Sequence, residues 1–149
     1  VIGIRAFAST DEDAVVALWE EAGLTRPWND PRVDIRRKLT VQPELFLVAV
    51  EDRRVIGSVM AGYDGHRGWL YYLATAPSSR GRGVARALVA EAERLLEAMG
   101  CPKVQLMVRP DNTGARGLYD ALGYEPFDTW ATGKRLIVDD LGGGSASAP

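Results

Sequence analysis

The chain has 149 residues, a length at which one domain buries a core without covalent staples; its 18 Lys and Arg against 20 Asp and Glu leave a net charge of −2, so no global field draws it to nucleic acid. Cys101 is the single cysteine, which excludes an internal disulfide, and with His66 alone beside it no metal site of Cys/His spacing can be assembled. No apolar run approaches the roughly 18 residues that cross a bilayer, and residues 1–7 lack the basic-then-apolar order of a signal peptide, so the expectation is a cytoplasmic protein with no membrane, nucleic-acid or metal partner.

Residues 2–7 read as a first strand. Ser9 and Thr10 follow as candidate caps, with Asp11, Glu12 and Asp13 in the favourable first turn of a helix. Val15, Leu18, Trp19 and Ala22 recur at helical spacing until Gly23 stops it. Asp30-Pro31 has the cap-then-proline order of a second, shorter helix carrying Ile35 and Leu39. Residues 45–50 and 55–63 are apolar, β-branched runs around the polar stretch 51–54, the pattern of a hairpin. A turn at Gly65-His66-Arg67-Gly68 leads into residues 69–75, apolar on both faces and so expected at the centre of the sheet. Val84, Leu88, Val89, Ala92, Leu95, Leu96 and Met99 then form one stripe of a long helix ended by Gly100. Residues 103–108 read as a strand, 114–122 as a helix, and 124–138 as one or two closing strands. Residues 1–140 are expected to be the domain. The Gly/Ser/Ala-rich tail 141–149 reads as disordered. This order predicts an α+β fold: a mixed, mostly antiparallel sheet flanked by helices.

The chemistry is expected between residues 69–75 and the long helix. In Arg80-Gly81-Arg82-Gly83-Val84-Ala85 two glycines let the backbone turn, and the free N–H groups of a first helical turn favour an anion. Arg80, Arg82 and Arg86 add charge that suits a diphosphate better than one carboxylate. The loop lacks the Gly-Lys-Ser/Thr ending of a Walker motif and has Arg86 where a dinucleotide fingerprint needs its third glycine. The alternative is a solvated turn whose arginines serve solubility.

Arg80-x-x-Gly83-x-Ala85 resembles the pyrophosphate loop of the GNAT acetyltransferases, written Arg/Gln-x-x-Gly-x-Gly/Ala. Asn112, Ala115, Leu118, Tyr119, Leu122, Gly123 and Tyr124 look like the family's downstream motif. The stretches 26–31, 62–68 and 133–137 look like its bacterial YpeA-type branch. The resemblance implies a sheet with splayed central strands and acetyl-CoA as co-substrate. Its pyrophosphate would lie on the backbone of Arg80, Gly81, Arg82, Gly83, Val84 and Ala85, and its pantetheine beside Leu73, Ala74 and Thr75, with a polar contact from Asn112.

It also implies Tyr119 as the acid that protonates the departing thiolate; a phenol of reference pKa about 10 stays protonated at neutral pH. The alternative for Tyr119 is a structural helix aromatic. Many relatives are thought to use a Glu on the strand before the loop, but residues 69–75 hold no carboxylate. Asp64 and Tyr72 rank first as base or relay, ahead of Tyr71, a water chain or an amine that arrives already neutral, although an Asp-Gly pair is also an ordinary turn former. Trp28, Asn29 and Asp30 are expected to wall the acceptor site, or Trp28 to pack its loop on the core. His66 reads as a turn residue and Cys101 as a small buried hydrophobe. The implied function is direct transfer of an acetyl group to a primary amine of a small molecule, amino acid derivative or peptide terminus. The alternative is an acyl-CoA-binding sensor without turnover. A homodimer stays open.

Overall fold

The structure is a computed structural model and describes residues 1–139; the tail expected to be disordered lies outside them. Strand β1 (Gly3–Ala6) leads through a short turn into helix α1 (Glu12–Glu21). The caps differ from the expected Ser9 and Thr10. Asp11 instead reaches back to the Ala8 N–H at 2.8 Å and takes both guanidinium nitrogens of Arg5, at 2.7 and 3.0 Å. Arg5 holds this nearly buried carboxyl below the usual range, against the cost of burial. Helix α2 (Pro31–Leu39) begins as expected, with the Asp30 carboxylate accepting from Arg32 N–H at 2.9 Å.

Strands β2 (Phe46–Glu51), β3 (Arg54–Tyr63) and β4 (Gly68–Thr75) follow. Helix α3 (Val84–Ala98) crosses to β5 (Val104–Gln105), and helix α4 (Thr113–Ala121) completes the regular elements. The sheet order is β1-β2-β3-β4-β5, antiparallel except for the β4–β5 pair, as the α+β expectation requires. One face packs a cluster built on Leu47, Val59, Leu88 and Leu96 under α3; the other packs Phe7, Val15, Trp19, Ile35 and Phe46 under α1 and α2.

Two expectations are corrected. The strand expected over 103–108 is only Val104–Gln105, and its ladder ends at the pair Trp69–Gln105. Residues 124–138, expected to hold closing strands, contain none. Phe127, Trp130 and the run Leu136-Ile137-Val138 are apolar, but a strand needs a neighbouring edge to pair with, and β5 ends too soon to provide one. Trp130 and Leu136 are accordingly exposed. The segment returns to α2 instead, where Asp139 is fixed by Arg37 at 2.6 Å and by the Asp30 N–H at 2.7 Å.

Gly57 on β3 lets α3 approach the sheet. A Cβ there would lie 2.8 Å from Val84 Cγ1, 3.0 Å from Leu88 Cδ1 and 3.1 Å from the Ala74 carbonyl oxygen. Gly57→Ala is therefore expected to destabilise the fold by about 1–3 kcal/mol through overpacking, measured by urea denaturation; an unchanged midpoint would contradict this packing. Asp11→Asn tests the Arg5 clamp. Because the folded carboxyl titrates below its unfolded value of about 4, its contribution is present above that pH and lost as pH falls through the folded value. The variant should be less stable than the parent at neutral pH, and the gap should close on acidification.

Candidate active site

The loop between β4 and α3 is built for an anion. Gly81 and Gly83 take φ of +76° and +81°, the left-handed region that glycine enters without strain, and Gly83 sits as the N-cap of α3. Six consecutive N–H groups, from Gly81 to Arg86, donate to no protein acceptor among the described residues. They stand at the positive end of a 15-residue helix. Arg80 and Arg86 meet no carboxylate among the described residues. Arg82 does: its guanidinium forks onto Glu51 at 2.8 and 2.5 Å, so its backbone rather than its side chain is free. A diphosphate fits this cradle by charge and by donor count.

Beside the cradle the sheet opens. On β3 two steps separate Ser58 from Met60, whereas their partners Ala74 and Tyr71 on β4 are three apart, so β4 carries one residue too many. The bulge falls on Tyr72, which takes φ of +52°, a costly conformation for an aromatic residue. Three contacts hold it. The Trp19 ring stacks on it at 3.8 Å, Ser58 Oγ donates to its carbonyl at 2.8 Å, and its phenol donates to Asp34 Oδ2 at 2.6 Å. Trp19 Nε1 donates in turn to Ser58 Oγ at 2.9 Å. Beyond Trp69, β4 and β5 share no ladder, so Leu73, Ala74 and Thr75 line a wedge whose open side lacks a strand.

Tyr119 on α4 is 8% exposed, and burial raises its pKa to about 12. Its ring meets Tyr124 edge-on at 5.3 Å, while its hydroxyl has no partner among the described residues and is not sealed from solvent. A protonated phenol with a free donor remains. Asn112 caps α4, its Oδ1 accepting from Ala115 N–H at 3.1 Å and its amide nitrogen left free among the described residues.

Asp64 occupies the β3–β4 turn. Its Oδ1 accepts from the N–H groups of Arg67 at 2.7 Å and His66 at 2.8 Å, which hold this exposed carboxyl below the usual range. This carboxylate is held by its own turn, and it shares no hydrogen bond with Tyr72 or Tyr119.

The structure joins Asn29 to Tyr72. Asn29 Nδ2 donates to the phenol oxygen at 3.2 Å and also to Asp34, and its Oδ1 accepts from Arg135 at 2.8 Å. Asp30 and Trp28 bind Asp139 through main chain. Arg37 and Arg135 also line a cleft of about 550 Å³ with Gly133, Lys134, Leu136 and Ile137. Sequence reasoning missed Asp34, Ser58 and the strap residues Arg135 and Asp139. Asp34 alone left a trace, one helical turn after the cap Asp30.

The model of the Acetyltransferase (GNAT) family matches residues 13–124. An acetyltransferase of Yersinia enterocolitica is 55% identical over 136 residues, 91% of this chain and 96% of that one. One of Pectobacterium atrosepticum is 54% identical with the same coverage. Among solved structures, aminoglycoside acetyltransferase AAC(6')-Iy in complex with a CoA bisubstrate analogue is similar, at 22% identity and a TM-score of 0.76, over 91% of this chain and 98% of that one. The NatC complex bound to Gag peptide and CoA matches at 26% identity and a TM-score of 0.69, over 81% and 82%. Fold and relatives make this chain an acetyl-CoA-dependent N-acetyltransferase. It belongs to the GNAT family.

Ser58 is the pin of the bulge. Ser58→Ala removes the acceptor of a buried indole N–H and the donor to Tyr72, and is expected to cost about 1–3 kcal/mol with a change in Trp19 fluorescence; an unaltered melting temperature and spectrum would contradict the pinning.

Proposed function

We propose that the enzyme acetylates a primary amine of a small molecule, amino acid derivative or peptide terminus, and that the acceptor enters beside Trp28, Asn29 and Asp30. The observation that carries the reading is the pairing of a cradle of six N–H groups that meet no protein acceptor among the described residues with a wedge in the sheet directly before it. Acetyl-CoA supplies an activated acetyl thioester when bound. The main-chain donors of Gly81 to Arg86 would hold its pyrophosphate, and Arg80 would add charge. The edge of β4 at Leu73, Ala74 and Thr75, which β5 does not pair, would bond the pantetheine amides as an added strand does, and the free amide of Asn112 would assist.

Tyr119 would donate to the sulfur as the thiolate departs. Its raised pKa keeps the proton on the phenol throughout the neutral range, so it serves as a donor and not as a base. Tyr72 is raised above the ordinary phenol range by burial first and by Asp34 second, and so it too stays neutral. Neither tyrosine can take a proton alone, which leaves relay as the role for Tyr72. AAC(6')-Iy is by name an aminoglycoside N-acetyltransferase, and NatC is bound to a peptide and CoA. That pair supports an amine as the common denominator and no finer choice.

The test is calorimetric titration with acetyl-CoA alongside thiol release with a panel of amines. Gly83→Glu, which puts a carboxylate into the cradle, is expected to abolish acetyl-CoA binding. Tyr119→Phe should bind acetyl-CoA like the parent but lose about a hundredfold in kcat. Binding by Gly83→Glu at parental affinity would overturn the cradle, and full turnover by Tyr119→Phe would overturn the acid.

A further inference from the structure

An amine that is an ammonium at neutral pH has to lose a proton before it can attack, and β4 supplies no carboxylate for this. The geometry points to Asp34 as the residue that receives that proton, through the hydroxyl of Tyr72. This inference rests on the amine-acetylating reading above and adds a residue that the motifs do not contain.

The Tyr72 oxygen donates to Asp34 Oδ2 and accepts from Asn29, which leaves it able to accept one more hydrogen. Tyr72 sits on the bulge that opens the wedge, immediately before Leu73, and its ring packs on Trp19 on the face of the sheet covered by α1 and α2, where the acceptor is proposed to enter. The stacked Trp19 and the Ser58 bond fix the ring and its backbone, and Asp34 and Asn29 fix the oxygen.

The step balances in one pass. The ammonium N–H donates to Tyr72 Oη. As that proton crosses to the phenol, the phenol's own proton crosses to Asp34 Oδ2. The products are a neutral amine with its lone pair free, a neutral Tyr72 and a protonated Asp34, and one positive and one negative charge have cancelled. Asp34, whose side chain is 20% exposed, can return its proton to water. It touches no substrate and is a positioning residue acting through Tyr72.

The charged groups facing it come from two elements. Arg37, one turn along α2, contacts Asp34 Oδ1 at 3.1 Å, and the C-terminal segment brings Asp139, paired with Arg37, and Arg135, which reaches Asn29. From α1 and β3 the packed groups are Trp19 and Ser58, which do not titrate in this range.

The experiment compares the parent with Asp34→Asn and Tyr72→Phe, using spermidine, kanamycin, glycinamide and a tripeptide with a free N-terminus as probes. Thiol release gives kcat/KM against pH. A tyrosine Cζ NMR label, with the Tyr72 signal assigned by its loss in Tyr72→Phe, reports the hydrogen bond without any acceptor. Asp34→Asn is expected to move the Tyr72 signal near neutral pH and leave acetyl-CoA affinity unchanged. Both variants should lose roughly a hundredfold in kcat/KM near pH 7, and the loss should shrink to under about threefold near pH 10, where the free amine needs no help. A purely structural role would lower the rate equally at every pH, and that result overturns the relay, as does an unmoved Tyr72 signal. If the parent binds acetyl-CoA but releases no thiol with any probe, the amine reading fails and the relay with it. If the Tyr72 signal moves and turnover proceeds with a parental pH profile, only the relay fails.

Discussion

The structure depends on one surplus residue in β4. Without it, β3 and β4 would keep register to their ends and β5 could follow β4 along its length; with it, Tyr72 is forced to φ of +52° and the β4–β5 ladder stops after two pairs. A bulge bends its strand and raises the local twist, so it is the device that turns a closed sheet into a wedge. The cost of an aromatic residue in the left-handed region, of order 1–3 kcal/mol, persists because its surroundings leave it no alternative. Trp19, Ser58, Asn29 and Asp34 supply those surroundings from α1, β3, the interhelical connection and α2. The helices on that face therefore hold the strained residue in place as well as covering core.

The cradle is the second half of the same arrangement. After Ala76, whose N–H still donates to Ile56 O at 2.8 Å, the chain turns through two left-handed glycines and starts α3 with donors that meet no protein acceptor among the described residues. Gly57 lets α3 settle close enough for Val84 and Leu88 to be fully buried, which fixes the height of those donors relative to the wedge. Ion pairing trims the site: Glu51 takes the Arg82 side chain, leaving Arg80 and the main chain to face a ligand.

Much of this was legible in the sequence, for reasons that differ by residue. The cradle was legible because glycine spacing before an amphipathic helix is a local signal, carried by Gly81, Gly83 and the stripe from Val84 to Leu96. The element order and the mixed sheet followed from periodicity. What stayed hidden is non-local. Nothing near Tyr72 in the chain announces a positive φ, since the residues that impose it lie 14 to 53 positions away. Asp34 reads as an ordinary helix charge until the fold brings it to a phenol on β4. The closing strands failed for the converse reason: residues 124–138 carry strand-forming apolar and aromatic residues, but pairing needs an edge, and the early end of β5 removes it. The return of Asp139 to Arg37 is likewise a contact across 102 positions that no local pattern encodes.

The central claim is that the N–H groups of Gly81 to Arg86, together with the open edge of β4, receive acetyl-CoA. Backbone amide NMR on the full chain tests it most directly, by hydrogen exchange with and without acetyl-CoA. The account predicts strong new protection and shifted signals at Gly81 through Arg86 and at Leu73 to Thr75, with little change at the buried β2 and β3 amides. Exchange in the cradle that acetyl-CoA at saturating concentration leaves unaltered, or protection that appears elsewhere on the sheet, would contradict it.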